Sequence, residues 1–214
     1  MKKTIILIST GLISLLLLGF LLINKESNSS ILDKDEYIKW VEDEKNELVS
    51  QQIEGGIKYE VTYCPISYMI SKEFRASTVS KESFDKRSKE MEGLRYFKLR
   101  FQRANSNEEV LAYNLQGGQE GYYKRVDYLS YGLEEDLKLV QNGNKDTLLP
   151  VLFHFERTYG VAPYIDFVVA FEKDTTVSDP HVVFVLDDKI FGGNVMRFDF
   201  NDLKLFNAPK LLMK

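Results

Sequence analysis

An uncharged apolar run near the N-terminus constrains this chain more than any other feature of its sequence. Residues 4–23 contain no charged side chain, and Lys2 and Lys3 stand directly before them. A helix of this length spans roughly 30 Å, the thickness of the hydrocarbon core of a bilayer. Because backbone in lipid must satisfy its own hydrogen bonds, residues 1–23 are predicted to form a transmembrane anchor or signal segment, with 4–23 in the membrane.

The residues around the run predict its orientation. The leading lysines favour a cytoplasmic N-terminus and an exported remainder, although Lys25 weakens this bias. A secretory signal usually has a shorter apolar region and a small-residue cleavage site, and only Ser27-Asn28-Ser29 offers such a site here. We therefore favour an uncleaved, single-pass anchor in the cell membrane, with a cleaved signal as the alternative. Residues 24–32 are predicted to be a polar tether.

The composition of the rest of the chain predicts a folded, slightly acidic protein. The sequence is 28% charged and 44% hydrophobic, with 14 Phe and 12 Tyr, which is typical of a globular core. Without the two leading lysines, 26 basic residues face 32 acidic ones, a net charge of −6. No nucleic-acid partner is expected, since that would require a concentrated positive face. Cys64 is the only cysteine and is expected to be semi-buried and dispensable, with an intermolecular bridge as the alternative.

Residue spacing predicts a mixed helix and strand region over residues 33–132. Asp33 and Glu36 resemble a capping box at the start of the first helix, which is predicted to continue toward Gly55-Gly56. Apolar and polar residues alternate in the predicted strands, and apolar residues recur with helical spacing in the predicted helices. The predicted elements are helices at 33–52, 66–93 and 119–131, strands at 57–64 and 94–104, and an ambiguous strand at 110–115.

The pattern changes to short strands separated by turns over residues 133–214. Asn142-Gly143 is a strong hairpin signal between two apolar runs. The predicted strands lie at 148–158, 164–172, 181–188 and 195–200. Because no helical spacing separates them, they favour a C-terminal antiparallel β-sandwich-like half packed in the same exported domain. The predicted fold class is α+β with an N-terminal transmembrane helix.

Two polar residues in the apolar stretch 148–158 are weak catalytic candidates. On a strand, Phe153, Phe155 and Arg157 would share one face, and His154 and Glu156 would share the other. A His–Glu pair is suited to be a general base and its orienter. The chain has no G-x-S-x-G nucleophile motif, however, so a solvated strand face is the favoured interpretation. Arg157 is predicted to be structural, and the two strands 148–158 and 164–172 to form a central antiparallel pair.

No cofactor or metal site is predicted from the sequence. His154 and His181 do not have the spacing of zinc ligands. Asp187-Asp188 and the polar residues at 199–202 carry oxygen ligands but do not match a calcium-binding loop, so they are interpreted as turn and strand-end residues. Gln116-Gly117-Gly118 lacks the spacing of a phosphate-binding loop.

The stretch HFERTYGVAPY at 154–164, taken with IFGG at 190–193, resembles a family of exported, often lipoprotein-like envelope proteins of Bacteroidota. The resemblance covers roughly residues 37–200 as a succession of a Trp-Val pair, strands and a Tyr-rich helix. No activity is established for that family, so the resemblance implies no functional residue. The chain departs from the lipoprotein pattern by lacking a lipidated cysteine, which favours a helical anchor over a lipid one.

Two hypotheses for the function follow. The leading one is a membrane-anchored extracytoplasmic protein without catalytic activity that binds an envelope protein through a sheet edge or a loop surface. The alternative is an extracytoplasmic hydrolase that acts on cell-wall or polysaccharide material through acids scattered in the sequence. An exposed apolar patch would favour the first hypothesis, and a concave pocket with converging polar groups would favour the second.

Overall fold

The computed structural model describes residues 30–74, 79–141, 143, 145–173, 179–206 and 208–213. Within them, strands pair in three sheets and helices lie between the strands, which confirms the α+β class. The predicted transmembrane segment at 1–23 lies outside the described residues. None of the helices in these described ranges has the length and apolar character needed to cross a membrane.

The elements have the following bounds. The α-helices are α1 (Lys34–Glu42), α2 (Ile66–Glu73), α3 (Lys81–Glu90), α4 (Gly118–Asp127) and α5 (Leu203–Phe206). The strands are β1 (Ile31–Leu32), β2 (Val49–Glu54), β3 (Ile57–Cys64), β4 (Leu94–Arg103), β5 (Leu137–Gln141), β6 (Asp146–Leu148), β7 (Leu152–Glu156), β8 (Tyr164–Glu172), β9 (His181–Asp187), β10 (Val195–Asn201) and β11 (Lys210–Leu211). Short 3-10 helices cover Glu44–Asn46, Val110–Ala112 and Leu133–Asp136, and a π-helix covers Tyr128–Gly132.

Two antiparallel sheets contain most of the strands. The larger has the order β2-β3-β4-β8-β7, and the smaller has the order β10-β9-β5-β6. The four-stranded sheet comes entirely from residues after 133, whereas the five-stranded sheet combines strands from both sides of that position. The mixed region and the β region of the sequence therefore share one sheet.

Aromatic rings from the two sheets meet in the core. The ring centroid of Phe97 on β4 lies 4.7 Å from that of Tyr63 on β3 and 5.3 Å from that of Phe184 on β9. Phe171 on β8 also lies 5.9 Å from Phe184. All four side chains are buried. Since burying one such side chain stabilises a protein by about 1.5–3 kcal/mol, this cluster is a main source of stability.

The opposite face of the five-stranded sheet is partly covered by α1 and α2. Cys64 on β3 is only 2% exposed there, and Tyr37 and Tyr68 of the two helices are also buried. The expectation of a semi-buried cysteine is therefore wrong: the helices close over this end of the sheet. Burial raises the pKa of the Cys64 thiol to about 12, so the thiol stays protonated and unreactive at neutral pH.

The first predicted helix begins as expected but ends earlier. The Asp33 carboxylate accepts a hydrogen bond from the Glu36 amide at 2.9 Å, and the Glu36 carboxylate accepts one from the Asp33 amide at 3.3 Å, which completes the capping box. The helix ends at Glu42, and Val49–Glu54 is a strand. The turn Gly55-Gly56, with φ angles of 56° and 84°, closes a tight hairpin to β3 and so favours a strand over a longer helix.

Three other predicted elements differ from the structure. The single helix predicted at 66–93 is two helices, and the second begins after Ser80, whose hydroxyl accepts a hydrogen bond from the Ser83 amide. The ambiguous strand at 110–115 is a 3-10 helix over Val110–Ala112. Leu148 pairs with Leu139 in the four-stranded sheet, so the strand predicted at 148–158 is divided between the two sheets.

One predicted turn and the end of the predicted tether can be compared with the strand pairing. β5 and β6 pair antiparallel on either side of Gly143, in accordance with the Asn142-Gly143 signal, although Asn142 lies outside the described residues. The end of the predicted tether is part of the fold, because Ile31–Leu32 pairs in parallel with Lys210–Leu211.

Candidate functional site

The catalytic candidates lie on β7, an edge strand. β7 pairs antiparallel with β8, and the rings of Phe153 and Phe155 stack on Phe167 at centroid distances of 5.6 and 4.9 Å. His154 and Glu156 point to the opposite face and are exposed, as the alternation predicts. The prediction that this pair is central is wrong, since β7 ends the sheet order. A short strand with charged side chains is typical of a sheet edge.

A groove runs along the exposed face of this sheet edge. It consists of two adjoining hollows with volumes of about 420 and 770 Å³, which share lining residues. The shared residues are Met69, Lys72, Glu156 and Val168. His154 lines the larger hollow. The structure therefore brings the two catalytic candidates to one groove, between α2 and the sheet.

Most charged side chains in this groove neutralise one another. Arg100 donates two hydrogen bonds of 2.7 Å to Asp166, and its guanidinium stacks 3.6 Å from the ring of Tyr164. Burial alone would lower the pKa of Arg100, but the hydrogen bonds and charge of Asp166 outweigh it and raise the pKa. Lys72 lies 2.9 Å from Glu42. These contacts stabilise the fold and leave His154, Glu156 and Arg157, which also lines the smaller hollow, as the groove's chemical candidates.

A second surface lies where β7 ends, and we name it the tyrosine patch: Tyr123, Tyr131, Arg157 and Tyr159. Tyr123, Tyr131 and Arg157 line a shallow hollow of about 480 Å³ together with Lys124, Val126, Asp127 and Ser130. The Arg157 guanidinium lies 5.0 Å from the ring of Tyr159. Arg157 does not continue the aromatic row as predicted: β7 ends at Glu156, and Arg157 is exposed and also lines the smaller hollow of the groove.

Tyr159 has an unfavourable backbone conformation. Its φ is 51°, followed by 75° at Gly160, and the Val161 amide donates to the Thr158 carbonyl at 3.0 Å. Positive φ at both central residues is typical of a type I′ turn, which prefers Asn-Gly. A bulky residue in the left-handed region costs about 1–2 kcal/mol. Because the Tyr159 side chain is 76% exposed, its burial does not offset this cost.

Replacement of Tyr159 by asparagine is expected to stabilise the protein by about 0.5–1 kcal/mol. Asparagine adopts the left-handed conformation readily and completes the Asn-Gly pair that this turn prefers. Urea unfolding of the purified variant measures the change. Tyr131→Asn is the matched control, since Tyr131 is equally exposed and has no positive φ; it should not gain stability. A loss of stability in Tyr159→Asn would show that the ring of Tyr159 supports the fold.

The two buried acidic residues of the 187–202 region, Asp188 and Asp202, stabilise the fold. Asp188 accepts hydrogen bonds from the Tyr59 hydroxyl at 2.7 Å and from the backbone amides of Ile190, Phe191 and Gly192. In the residues that the structure describes, no group of three or more His, Cys, Asp and Glu side chains is placed to hold a metal ion. The IFGG segment is thus a backbone cradle for a buried carboxylate.

The other buried acid of this region is Asp202. It accepts a hydrogen bond of 2.6 Å from the Tyr63 hydroxyl and one of 3.1 Å from Arg95, which is itself buried. Burial, followed by the charge of Asp202, raises the pKa of Tyr63 well above its usual range. This contact joins β3 and β4 to the residue that follows β10.

The tyrosine patch was not predicted from the sequence. Its members belong to two segments, 123–131 and 157–159, which come together because the α4–π-helix segment lies near the end of β7. The one available signal was a tyrosine directly before Gly160, where a hairpin turn favours asparagine.

Comparison with protein-family models, curated proteins and solved structures finds no significant match to this chain. The resemblance to envelope proteins of Bacteroidota thus stays a prediction.

Proposed function

We propose that this protein is a single-pass, membrane-anchored extracytoplasmic protein that binds a partner protein of the cell envelope through the tyrosine patch. The observation that carries the proposal is the exposure of two tyrosines and one arginine around a single shallow hollow, with a third exposed tyrosine, Tyr159, in contact with that arginine. Tyrosine and arginine are the residue types enriched in binding hot spots. Tyrosine adds large contact area at a low cost in side-chain entropy.

The edge strand β7 adds a second feature to the proposed binding surface. β7 pairs with β8 along one edge only, in the part of the chain that the structure describes. An edge strand offers unpaired backbone N–H and C=O groups, to which a partner can add a strand. The patch begins one residue after β7, so both features would form one continuous binding surface. The ring contacts between the two antiparallel sheets favour the β-sandwich-like arrangement predicted for the β region, which would give this surface a rigid support.

The predicted anchor limits where the partner is found. Residues 4–23 would cross the membrane, and β1 begins at Ile31. Even a fully extended segment 24–30 spans only about 25 Å. The folded domain would therefore stay close to the membrane surface, and its partner would be a membrane protein or one bound near the membrane.

A cysteine-specific crosslinking experiment tests location and binding together. Tyr131→Cys places a thiol in the patch, while the native Cys64 is buried. In intact spheroplasts, a membrane-impermeant thiol reagent that carries a photo-crosslinker should label Tyr131→Cys and yield one discrete adduct after illumination. Ile53→Cys is the control, because Ile53 is 65% exposed on β2 at the other edge of the same sheet. It should be labelled but give no adduct.

Two outcomes would contradict the proposal. Labelling that requires permeabilised membranes would place the domain on the cytoplasmic side. Adducts that are equal from Tyr131→Cys and Ile53→Cys, or missing from both, would remove the tyrosine patch as a specific binding surface.

One observation favours a hydrolase as the second candidate function. His154 and Glu156 are exposed in the same groove, about 7 Å apart along the strand. The paired charges around them weigh against this candidate, because they leave few groups to bind a substrate. Incubation with cell-wall sacculi or polysaccharide, followed by assay of released sugar, tests it. Release by the wild type that is lost in the His154→Ala/Glu156→Gln variant would favour the hydrolase over the binding protein.

A further inference from the structure

We propose that the partner contributes an extended acidic peptide segment, which adds to the open edge of β7 and places a carboxylate on Arg157. This inference rests on the proposed binding function and names the chemistry of the partner. Three features of the surface carry it: the contacts of Arg157, the conformation of Tyr159 and the backbone of β7.

Arg157 differs from the other arginines of the fold. Five others donate to oxygen: Arg87, Arg95, Arg100, Arg103 and Arg125. Arg157 has no carboxylate within 4.0 Å among the residues that the structure describes, and its one recorded contact is the Tyr159 ring. A guanidinium has five N–H donors in a planar fork that matches a carboxylate. Arg157 is thus an exposed cation next to the edge strand β7 that is available for an anionic ligand.

Tyr159 holds this guanidinium in place. Its ring faces Arg157 at 5.0 Å, and the strained turn keeps the ring at the surface. A guanidinium beside an aromatic ring retains its edge for hydrogen bonding, because the ring contacts its flat face. The strain at Tyr159 is therefore used to orient a ligand-binding group, which accounts for a tyrosine where asparagine would fit the turn better.

The open edge of β7 identifies the ligand as a peptide. Its unpaired backbone groups complement another peptide backbone, and polysaccharide lacks this regular pattern of donors and acceptors. Phe153 and Phe155 share one face of β7 and Glu156 lies on the other, while Arg157 follows directly after the end of the strand. A partner strand would accordingly present apolar residues beside the two phenylalanines and an acid just beyond the end of β7, within reach of Arg157. An acid on the other face would meet Glu156 and be repelled.

A designed peptide provides the probe. The sequence Glu-Thr-Val-Thr-Val-Thr-Glu places valines and terminal glutamates on one face and threonines on the other, so it fits a strand added in either direction. The full chain in lipid nanodiscs is titrated against the fluorescein-labelled peptide, and anisotropy gives the dissociation constant. The glutamate peptide should bind at least tenfold more tightly than the same peptide with glutamine, since charge-assisted hydrogen bonds are about twice as strong as neutral ones.

Variants of the protein locate the effect. Arg157→Gln should abolish the difference between the two peptides, and Arg157→Lys should retain part of it. Tyr159→Asn should weaken binding of the glutamate peptide about threefold to fivefold through loss of the aromatic contact. Lys138→Gln is the charge-matched control, because Lys138 is exposed on β5 in the other large sheet and does not line this hollow. It should leave the tenfold difference unchanged.

Each contrary result has a distinct meaning. Equal binding of the two peptides, or no binding of the glutamate peptide below about 1 mM, would overturn the acidic-strand inference. Displacement of weakly bound peptide by oligogalacturonate, with direct binding of that sugar lost in Arg157→Gln, would show that the ligand is an acidic polysaccharide instead. A discrete crosslink from Tyr131→Cys alongside either result would leave the binding function standing and remove only this inference.

Discussion

Replacement of Asp188 by alanine is expected to lower the free energy of unfolding by about 3–5 kcal/mol. The Asp188 side chain is fully buried and accepts hydrogen bonds from three backbone amides and from the Tyr59 hydroxyl. Alanine would leave these donors buried without an acceptor, and each unsatisfied donor costs about 1–3 kcal/mol. Urea unfolding, monitored by the near-ultraviolet signal of the aromatic core, measures the loss.

Two variants make this test specific. Asp187→Ala removes the neighbouring carboxylate, which is partly exposed and pairs only with the exposed Lys189, and should change stability by less than about 0.5 kcal/mol. Asp188→Asn keeps one oxygen acceptor, so its free energy of unfolding should lie between those of Asp188→Ala and the wild type. If Asp188→Ala unfolded at the same urea concentration as Asp187→Ala, the cradle formed by residues 190–192 would not stabilise the fold.

Replacement of Phe97 by alanine is expected to cost about 3–5 kcal/mol. The Phe97 ring contacts Tyr63, Phe171, Phe184 and Phe200 at centroid distances of 4.7–5.9 Å, and these residues belong to both large sheets. Alanine would leave a cavity that the facing sheets cannot close, since their backbones are fixed by hydrogen bonds. Equilibrium unfolding in urea gives the value.

Phe206→Ala is the control for this change. Phe206 is 75% exposed on α5, so its truncation should alter stability by less than about 0.5 kcal/mol. The loss of stability in Phe155→Ala should lie between those of Phe97→Ala and Phe206→Ala, because Phe155 is half-buried on an edge strand. An effect of Phe97→Ala as small as that of Phe206→Ala would mean that the two sheets do not share a core at this position.

Alternation of residue types predicted the strands well because it depends on burial of one face. β3, β4 and β8 follow their predicted ranges closely, and each has one face in the core. The strand Val49–Glu54 was not predicted in this way, because it lies at a sheet edge and its burial shows little alternation. Its conformation is set by pairing with β3, a contact that helical spacing in the sequence does not report.

The candidate site was predictable in part. The alternation of side chains along a strand placed His154 and Glu156 correctly on the exposed face of β7. The same alternation placed Arg157 in one row with Phe153 and Phe155. That prediction failed because the strand ends one residue earlier and the chain turns at Thr158. The tyrosine patch joins residues 123, 131 and 159 through tertiary packing alone. Residue patterns along a single sequence do not predict which distant segments pack against each other.

The parallel pairing of β1 with β11 joins the part of the fold nearest the predicted anchor to its C-terminal strand. Backbone hydrogen bonds from Lys210 to Ser30 and from Leu212 to Leu32, at 2.9 and 2.7 Å, hold the two strands together. If residues 4–23 anchor the chain as proposed, tension on the chain would act on this small pair first, because Ile31 begins the first strand that the structure describes. Release of β11 would then add the residues of β1 to the segment between membrane and domain, so that the tyrosine patch could reach farther from the bilayer. In an anchored protein, the pairing of β1 with β11 would therefore limit the reach of the domain.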